Sequence, residues 1–229
     1  MKKTLIYLIF AVFLALIVQP NILGNLSQGD QRVPTNTTNG TPATNDTIEL
    51  KADVKDITIC VDAAQQSGSD QDINLAMAEA IGKKLEDSGF QVVYTRQDAT
   101  TLSNDERLSL ARNDKADYLL SITTTNDTDT LQKGFSIMTQ QNTNLINLGS
   151  DIAEELESVN YTDYQGLDSD HYENFPILTN TNMPAILLEV GYTSNTEDVS
   201  ALTNEATQDK IATAIARGFV LHISQEKDS

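Results

Sequence analysis

Apolar and polar positions divide the chain into three regimes. Leu5 to Val18 is an unbroken apolar run of 14 residues behind Met1-Lys2-Lys3. Residues 34–47 hold one apolar side chain, Ala43, among Pro, Thr, Asn, Gly and Asp. From residue 55 onward short apolar runs alternate with amphipathic stretches. Continuous β-branched and apolar runs read as buried strands at 57–61, 91–95, 118–122, 134–138, 176–178 and 185–190. Apolar residues four apart mark helix faces: Ile73, Met77, Ile81 and Leu85 within 72–88, and Ile211, Ile215, Phe219 and Ile223 within 204–224. Further helices are expected over 104–113, with Ser103 as cap, and over 144–159. Gly89 closes the first helix. Residues 160–174 are polar and read as a loop. Strands alternating with helices imply an α/β domain with a six-stranded, mainly parallel sheet. In such sheets the site lies beyond the carboxyl ends of the strands, which directs attention to 62–70, 123–126 and 189–192.

The first two regimes read as targeting and tether. Two lysines before a short apolar run have the shape of an export signal. The run is shorter than the roughly 20 residues of a membrane span. A cleaved signal and an uncleaved anchor both fit residues 1–23, and the lack of a clear cleavage site favours the anchor. Residues 24–54 are expected to form a flexible Asn/Thr-rich linker, because so polar a stretch buries too little surface to offset its ordering entropy. The folded domain is expected over 55–226.

Charge then narrows the partners. Of 229 residues, 15 are basic and 33 acidic, a net charge of −18. Residues 56–229 alone hold 10 basic and 29 acidic side chains, a balance of −19. This argues against nucleic acid, whose phosphates need basic surface. A single cysteine, Cys60, excludes an intramolecular disulfide and a cysteine-rich zinc site, and reads as a small core residue. Only two histidines are present, His171 and His222. The first is expected in an exposed loop and the second near the end of the last helix, at the surface or packed on it.

Four stretches resemble the zinc-dependent N-acetylmuramoyl-L-alanine amidases, the type-3 cell-wall amidase family. Val61-Asp62-Ala63-Ala64-Gln65 stands where the family has Asp-x-Gly-His-Gly. Asp70-Gln71-Asp72-Ile73-Asn74-Leu75 is similar to its Glu-x-x-x-Asn-Leu helix start. Thr95-Arg96 and Glu106-Arg107 match a Thr-Arg strand end and a following Glu-Arg pair. Ser121-Ile122-Thr123 replaces Ser-Ile-His, and Pro184 to Asn195 is similar to Pro-Ala-x-Leu-x-Glu-x-Gly-Phe-x-x-Asn. The resemblance implies a twisted, mostly parallel sheet flanked by helices and a bacterial, extracytoplasmic setting. Its partner would be peptidoglycan or a cell-wall hydrolase, with membrane contact if the N-terminal segment is retained.

The resemblance also implies which residues to inspect. The family zinc ligands, His, Glu and His, fall on Gln65, Asp70 and Thr123, and its general base falls on Glu189. Catalytic zinc takes three ligands drawn from His, Cys, Asp and Glu, plus water. A neutral amide and a hydroxyl are poor substitutes, so no intact metal site and no cofactor are expected, and Glu189 reads as vestigial. The alternative is an active amidase with a remodelled metal site that recruits His171 and retains zinc. A weaker reading groups Asp62, Asp70 and Glu189 as carboxylate ligands for Ca²⁺ or Mg²⁺.

Overall fold

A computed structural model describes residues 53–65, 72–179 and 182–227. The predicted signal segment, nearly all of the predicted linker and Asp70 lie outside these residues. No helix among the described residues is long and apolar enough to cross a membrane.

Six strands form one sheet: β1 (Thr58–Ala63), β2 (Gln91–Tyr94), β3 (Tyr118–Thr125), β4 (Phe135–Thr139), β5 (Tyr164–Asp168) and β6 (Ala185–Tyr192). Their order is β2-β1-β3-β6-β4-β5. Every neighbouring pair is parallel except β4 with β6. Five helices surround the sheet: α1 (Ile73–Asp87), α2 (Asn104–Asn113), α3 (Thr143–Val159), α4 (Thr196–Leu202) and α5 (Glu205–Lys227).

Local signals account for most boundaries. Asp72 caps α1 by accepting the Leu75 N–H at 3.1 Å. Gly89, at φ +101°, takes the left-handed conformation that ends the helix. Ser103 and Glu106 form a reciprocal capping box on α2. Asn142 starts α3, and Asn160 ends it in the left-handed region.

Side chains alternate across the sheet, so its two faces carry different cores. Ile59, Val61, Leu120, Ile122, Leu188 and Val190 face α1, α3 and α5 and join the larger core. Cys60, Leu119, Met138 and Leu187 face α2 and the segment before β6, where Ile177, Leu178 and Met183 complete a smaller core. Val54, assigned to the linker by composition, is buried in the larger core.

Three sequence expectations are corrected. Residues 176–178 form a turn rather than a strand, with the Leu178 N–H bonded to the Phe175 carbonyl. Ile177 and Leu178 are buried all the same, and the exposed Pro176 has no N–H to give a ladder. The missing strand is β5, inside the polar region read as a loop. As an edge strand it packs Tyr164 and Leu167 against the core and leaves Gln165 exposed, so it lacks an apolar run. His222, expected at the surface or packed on it, is only 3 % exposed and pairs with Asp151 of α3 at 3.1 Å.

Cys60 is fully buried at the centre of β1. Burial, reinforced by the charges of Asp62 and Asp114 and partly opposed by Arg107, pushes its thiol up to about 12. The native chain is therefore expected to be inert to a thiol reagent at pH 8 and to release one equivalent of colour on denaturation. Rapid labelling of the folded chain would contradict this placement.

Candidate functional site at the carboxyl ends of the strands

The carboxyl edge of the sheet is organised by two ion pairs, one buried and one half-buried. Asp62 of β1 is fully buried and accepts hydrogen bonds from Thr95 Oγ1 and Ser121 Oγ, each at 2.6 Å, and from Arg107 Nε at 2.8 Å. A second Arg107 nitrogen, Nη2, closes the bidentate pair. The remaining Arg107 nitrogen donates to Asn104 at 2.8 Å. Both Asp62 oxygens are thus consumed inside the protein, and Asp62 is a structural carboxylate. This corrects its proposed place in a Ca²⁺ or Mg²⁺ cluster.

Arg96, at the end of β2, holds the next step of β1. It donates to the carbonyls of Ala63 (2.8 Å), Ala64 (3.0 Å) and Asp98 (2.9 Å), and to both carboxylate oxygens of Asp72. Asn74 adds a bond to the Ala64 carbonyl at 3.1 Å. These contacts deliver Gln65 at the strand end, where its side chain is exposed.

The other candidate positions meet on neighbouring strands. Thr123 of β3 is the register partner of Glu189 of β6, and Glu189 is also the register partner of Ser136 of β4. Thr123, Glu189 and Ser136 therefore lie in one row on one face. Ser136 Oγ donates to Glu189 Oε2 at 2.8 Å.

Beyond Glu189 the β3–β6 register shifts: Thr123 pairs with Glu189, but Thr125 pairs with Tyr192. One extra residue on β6 makes a bulge, which returns Tyr192 to the face of Glu189. Gly191 sits in this bulge at φ +156°, where an added Cβ would come within 3.1 Å of Asp198 Oδ2. Asp198 is fully buried and accepts the N–H groups of Gly134 (3.0 Å) and Tyr192 (2.9 Å) and the Thr162 hydroxyl. It ties the ends of β6 and α3 to the start of β4. Burial, then the charges of Glu189, Asp127 and Asp198, push the Tyr192 hydroxyl above its ordinary range and keep it a neutral donor.

Sequence reasoning reached Gln65, Thr123, Glu189 and the 189–192 segment but not Ser136 or Asp198. Ser136 carries no signal because the antiparallel partner of β6 is not readable from spacing. Asp198 follows the helix-cap residue Asn195 by three positions, and that is its one local cue.

The histidines do not extend the site. His171 has a side chain 71 % exposed and bonds Asp168 at 2.8 Å. His222 lies in the α3–α5 seam. Among the described residues, no three His, Cys, Asp or Glu side chains come together to hold a metal.

The family model of N-acetylmuramoyl-L-alanine amidases matches residues 62–220, and the chain belongs to that family. The chain is 31 % identical over 159 residues to the uncharacterized protein YqiI of Bacillus subtilis, covering 68 % of this chain and 75 % of that one. It is 29 % identical over 194 residues to the N-acetylmuramoyl-L-alanine amidase LytC of Bacillus subtilis. That match covers 79 % of this chain but only 38 % of LytC. Among solved structures it resembles the catalytic domain of the amidase CwlV from Bacillus (Paenibacillus) polymyxa var. colistinus, with a TM-score of 0.64 and 27 % identity, over 75 % of this chain and 98 % of that one. The folded part is a cell-wall amidase-type domain with the sheet and flanking helices of these structures.

The family is generally zinc-dependent. The described donors at the resembling positions do not suit that ion: Gln65 offers a neutral amide and Thr123 a hydroxyl. Neither supplies the imidazole nitrogen or the negative charge that zinc sites use.

Two measurements check this geometry. Asp62→Ala should destabilise the fold by about 3–5 kcal/mol in urea denaturation, because Arg107 is left buried and unpaired. A loss under about 1 kcal/mol would mean that the pair is not desolvated as described. The Asp168 hydrogen bond, then its charge, raise His171 above its ordinary value of 6.5. Its stabilising contribution is present below pH 6.5 and fades as pH rises through the raised value. Asp168→Asn should lower the His171 midpoint in a proton NMR titration.

Proposed function

We propose that this chain is an exported cell-wall amidase-type domain that binds peptidoglycan, or regulates a cell-wall hydrolase, without itself cleaving the amide between the muramyl lactyl group and L-alanine. Residues 1–23 would direct export or anchor the chain at the outer face of the membrane, and 24–54 would tether the domain. One observation carries the reading: beside Glu189, the strand partner that the family resemblance equates with a zinc-binding imidazole is the hydroxyl of Thr123.

The chemistry follows from the residues present. A zinc ion in this family polarises the scissile carbonyl and acidifies its bound water. Gln65 and Thr123 are poor holders of that ion, and Glu189 then faces an ordinary water and an unpolarised amide. General-base help from one carboxylate is worth about 10²–10⁴-fold, against the 10⁶-fold or more typical of enzymes. One oxygen of Glu189 is also engaged by Ser136. What persists is a row of partly exposed polar side chains at the strand ends, held on an ordered frame, which suits binding.

The test uses the full chain on purified peptidoglycan with added zinc. No new L-alanine amino termini should appear above the buffer control, and Glu189→Gln should change nothing. The chain should nevertheless co-sediment with the insoluble wall. Release of amino termini that Glu189→Gln abolishes would establish the alternative, an active amidase with a remodelled metal site.

A further inference from the structure

We propose that the polar strand-end row around Glu189 recognises a neutral sugar ring of the glycan strand rather than the carboxylate-bearing stem peptide; this rests on the peptidoglycan-binding reading above. Three observations converge on it.

The first is the donor set. Thr123, Glu189 and Ser136 present hydroxyl, carboxylate and hydroxyl in register on three adjacent strands. Strands lie about 4.8 Å apart, so the row spans roughly 10 Å. Ser136 engages Oε2 of Glu189, and Oε1 has no hydrogen-bond partner among the described residues. A carboxylate braced by a hydroxyl is a strong acceptor for sugar hydroxyls, because hydrogen bonds to an ionised acceptor are roughly twice as strong as neutral ones. The flanking hydroxyls serve as acceptors: Ser136 gives its proton to Glu189, and Thr123 donates to the Thr124 carbonyl at 3.4 Å, which leaves their lone pairs for a ring's hydroxyl donors.

The second is Tyr192. The bulge in β6 sets this half-buried aromatic on the same face as Glu189, one register step beyond it. The buried Asp198 holds its backbone N–H at 2.9 Å. Pyranose rings have an apolar C–H face and a polar rim of hydroxyls. An aromatic ring beside an acceptor row matches both surfaces.

The third is charge. Glu189 and Asp127 lie close enough to Tyr192 to influence its hydroxyl. Lys133, on the connection between β3 and β4, is occupied by Glu197 at 2.9 Å and Asp163 at 3.8 Å. In a domain with a balance of −19, such an edge repels a peptide carboxylate and leaves a neutral N-acetylated sugar unaffected.

Isothermal titration of the full chain tests this with two soluble probes: the tetramer of N-acetylglucosamine, and a free stem-type peptide bearing its carboxylates. The sugar should bind and the peptide should not. Tyr192→Ala should weaken sugar binding about tenfold, whereas Tyr192→Phe, which keeps the ring, should retain it. Thr123→Val should also weaken it. Peptide binding without sugar binding, or an unchanged affinity in Tyr192→Ala, would overturn the inference. If insoluble wall is still pelleted with the chain while the sugar tetramer fails to bind, this inference falls and the peptidoglycan-binding function stands. If neither binds, both fall.

Discussion

Asp62 is a fully buried carboxylate at the end of the second strand in the sheet order, and the carboxyl edge of the sheet is built around its charge. An ion placed there is stable only if nearly every lone pair is used. The sequence meets that demand with Thr95 beyond β2, Ser121 on β3 and Arg107 on α2. Those residues are distant in the chain, so satisfying one carboxylate fixes the mutual positions of three strands and a helix. The adjacent Arg96–Asp72 pair extends the same logic to the last residues of β1 and the first turn of α1. A hydrophobic core of similar size would hold the layers together without fixing the heights of the strand ends.

The β6–β4 side of the strand ends uses a different device for the same end. Asp198 satisfies two backbone N–H groups and a hydroxyl from three separate segments. Asn195, through its own side chain, caps α4 and bonds the Thr130 carbonyl at 3.0 Å. Together they lock the bulge that presents Tyr192 and the antiparallel seam that brings Ser136 to Glu189. The two halves of the strand-end row are therefore each pinned by a buried acid, one paired with arginine and one with backbone.

Much of this was legible in the sequence, and the exceptions have physical causes. The helices showed through apolar spacing and capping residues, and the central strands through β-branched runs buried on both faces. β5 was hidden because an edge strand packs only one face and needs no apolar run. Residues 176–178 misled because burial, which the apolar residues do report, is not strand pairing, which Pro176 disfavours. Glu189 and Thr123 were found by resemblance, and their adjacency is a matter of register that no local pattern contains. The partners of Asp62 were visible as motif residues, yet their role as a closed ionic network emerges only when α2 folds over the sheet. The full burial of His222 was not legible because spacing gives the core stripe of α5 but not the second helix, α3, that covers its flank.

The division of labour between frame and ligands explains how such a site can change without loss of the fold. In a structural zinc site the metal bonds supply folding energy, so removing ligands unfolds the protein. Here the strand ends are set by Asp62 with Arg107, Arg96 with Asp72, and Asp198 with its donors, none of which involves Gln65 or Thr123. Replacing imidazole by an amide or a hydroxyl at those positions leaves these buried charges satisfied. It also removes two bulky rings from a solvent-facing edge, where substitutions away from such networks are energetically mild. Glu189 stays within the same frame, its carboxylate held across the antiparallel seam by Ser136. The register thereby sets a carboxylate between two hydroxyl-bearing strands, whatever ligand the strand ends meet.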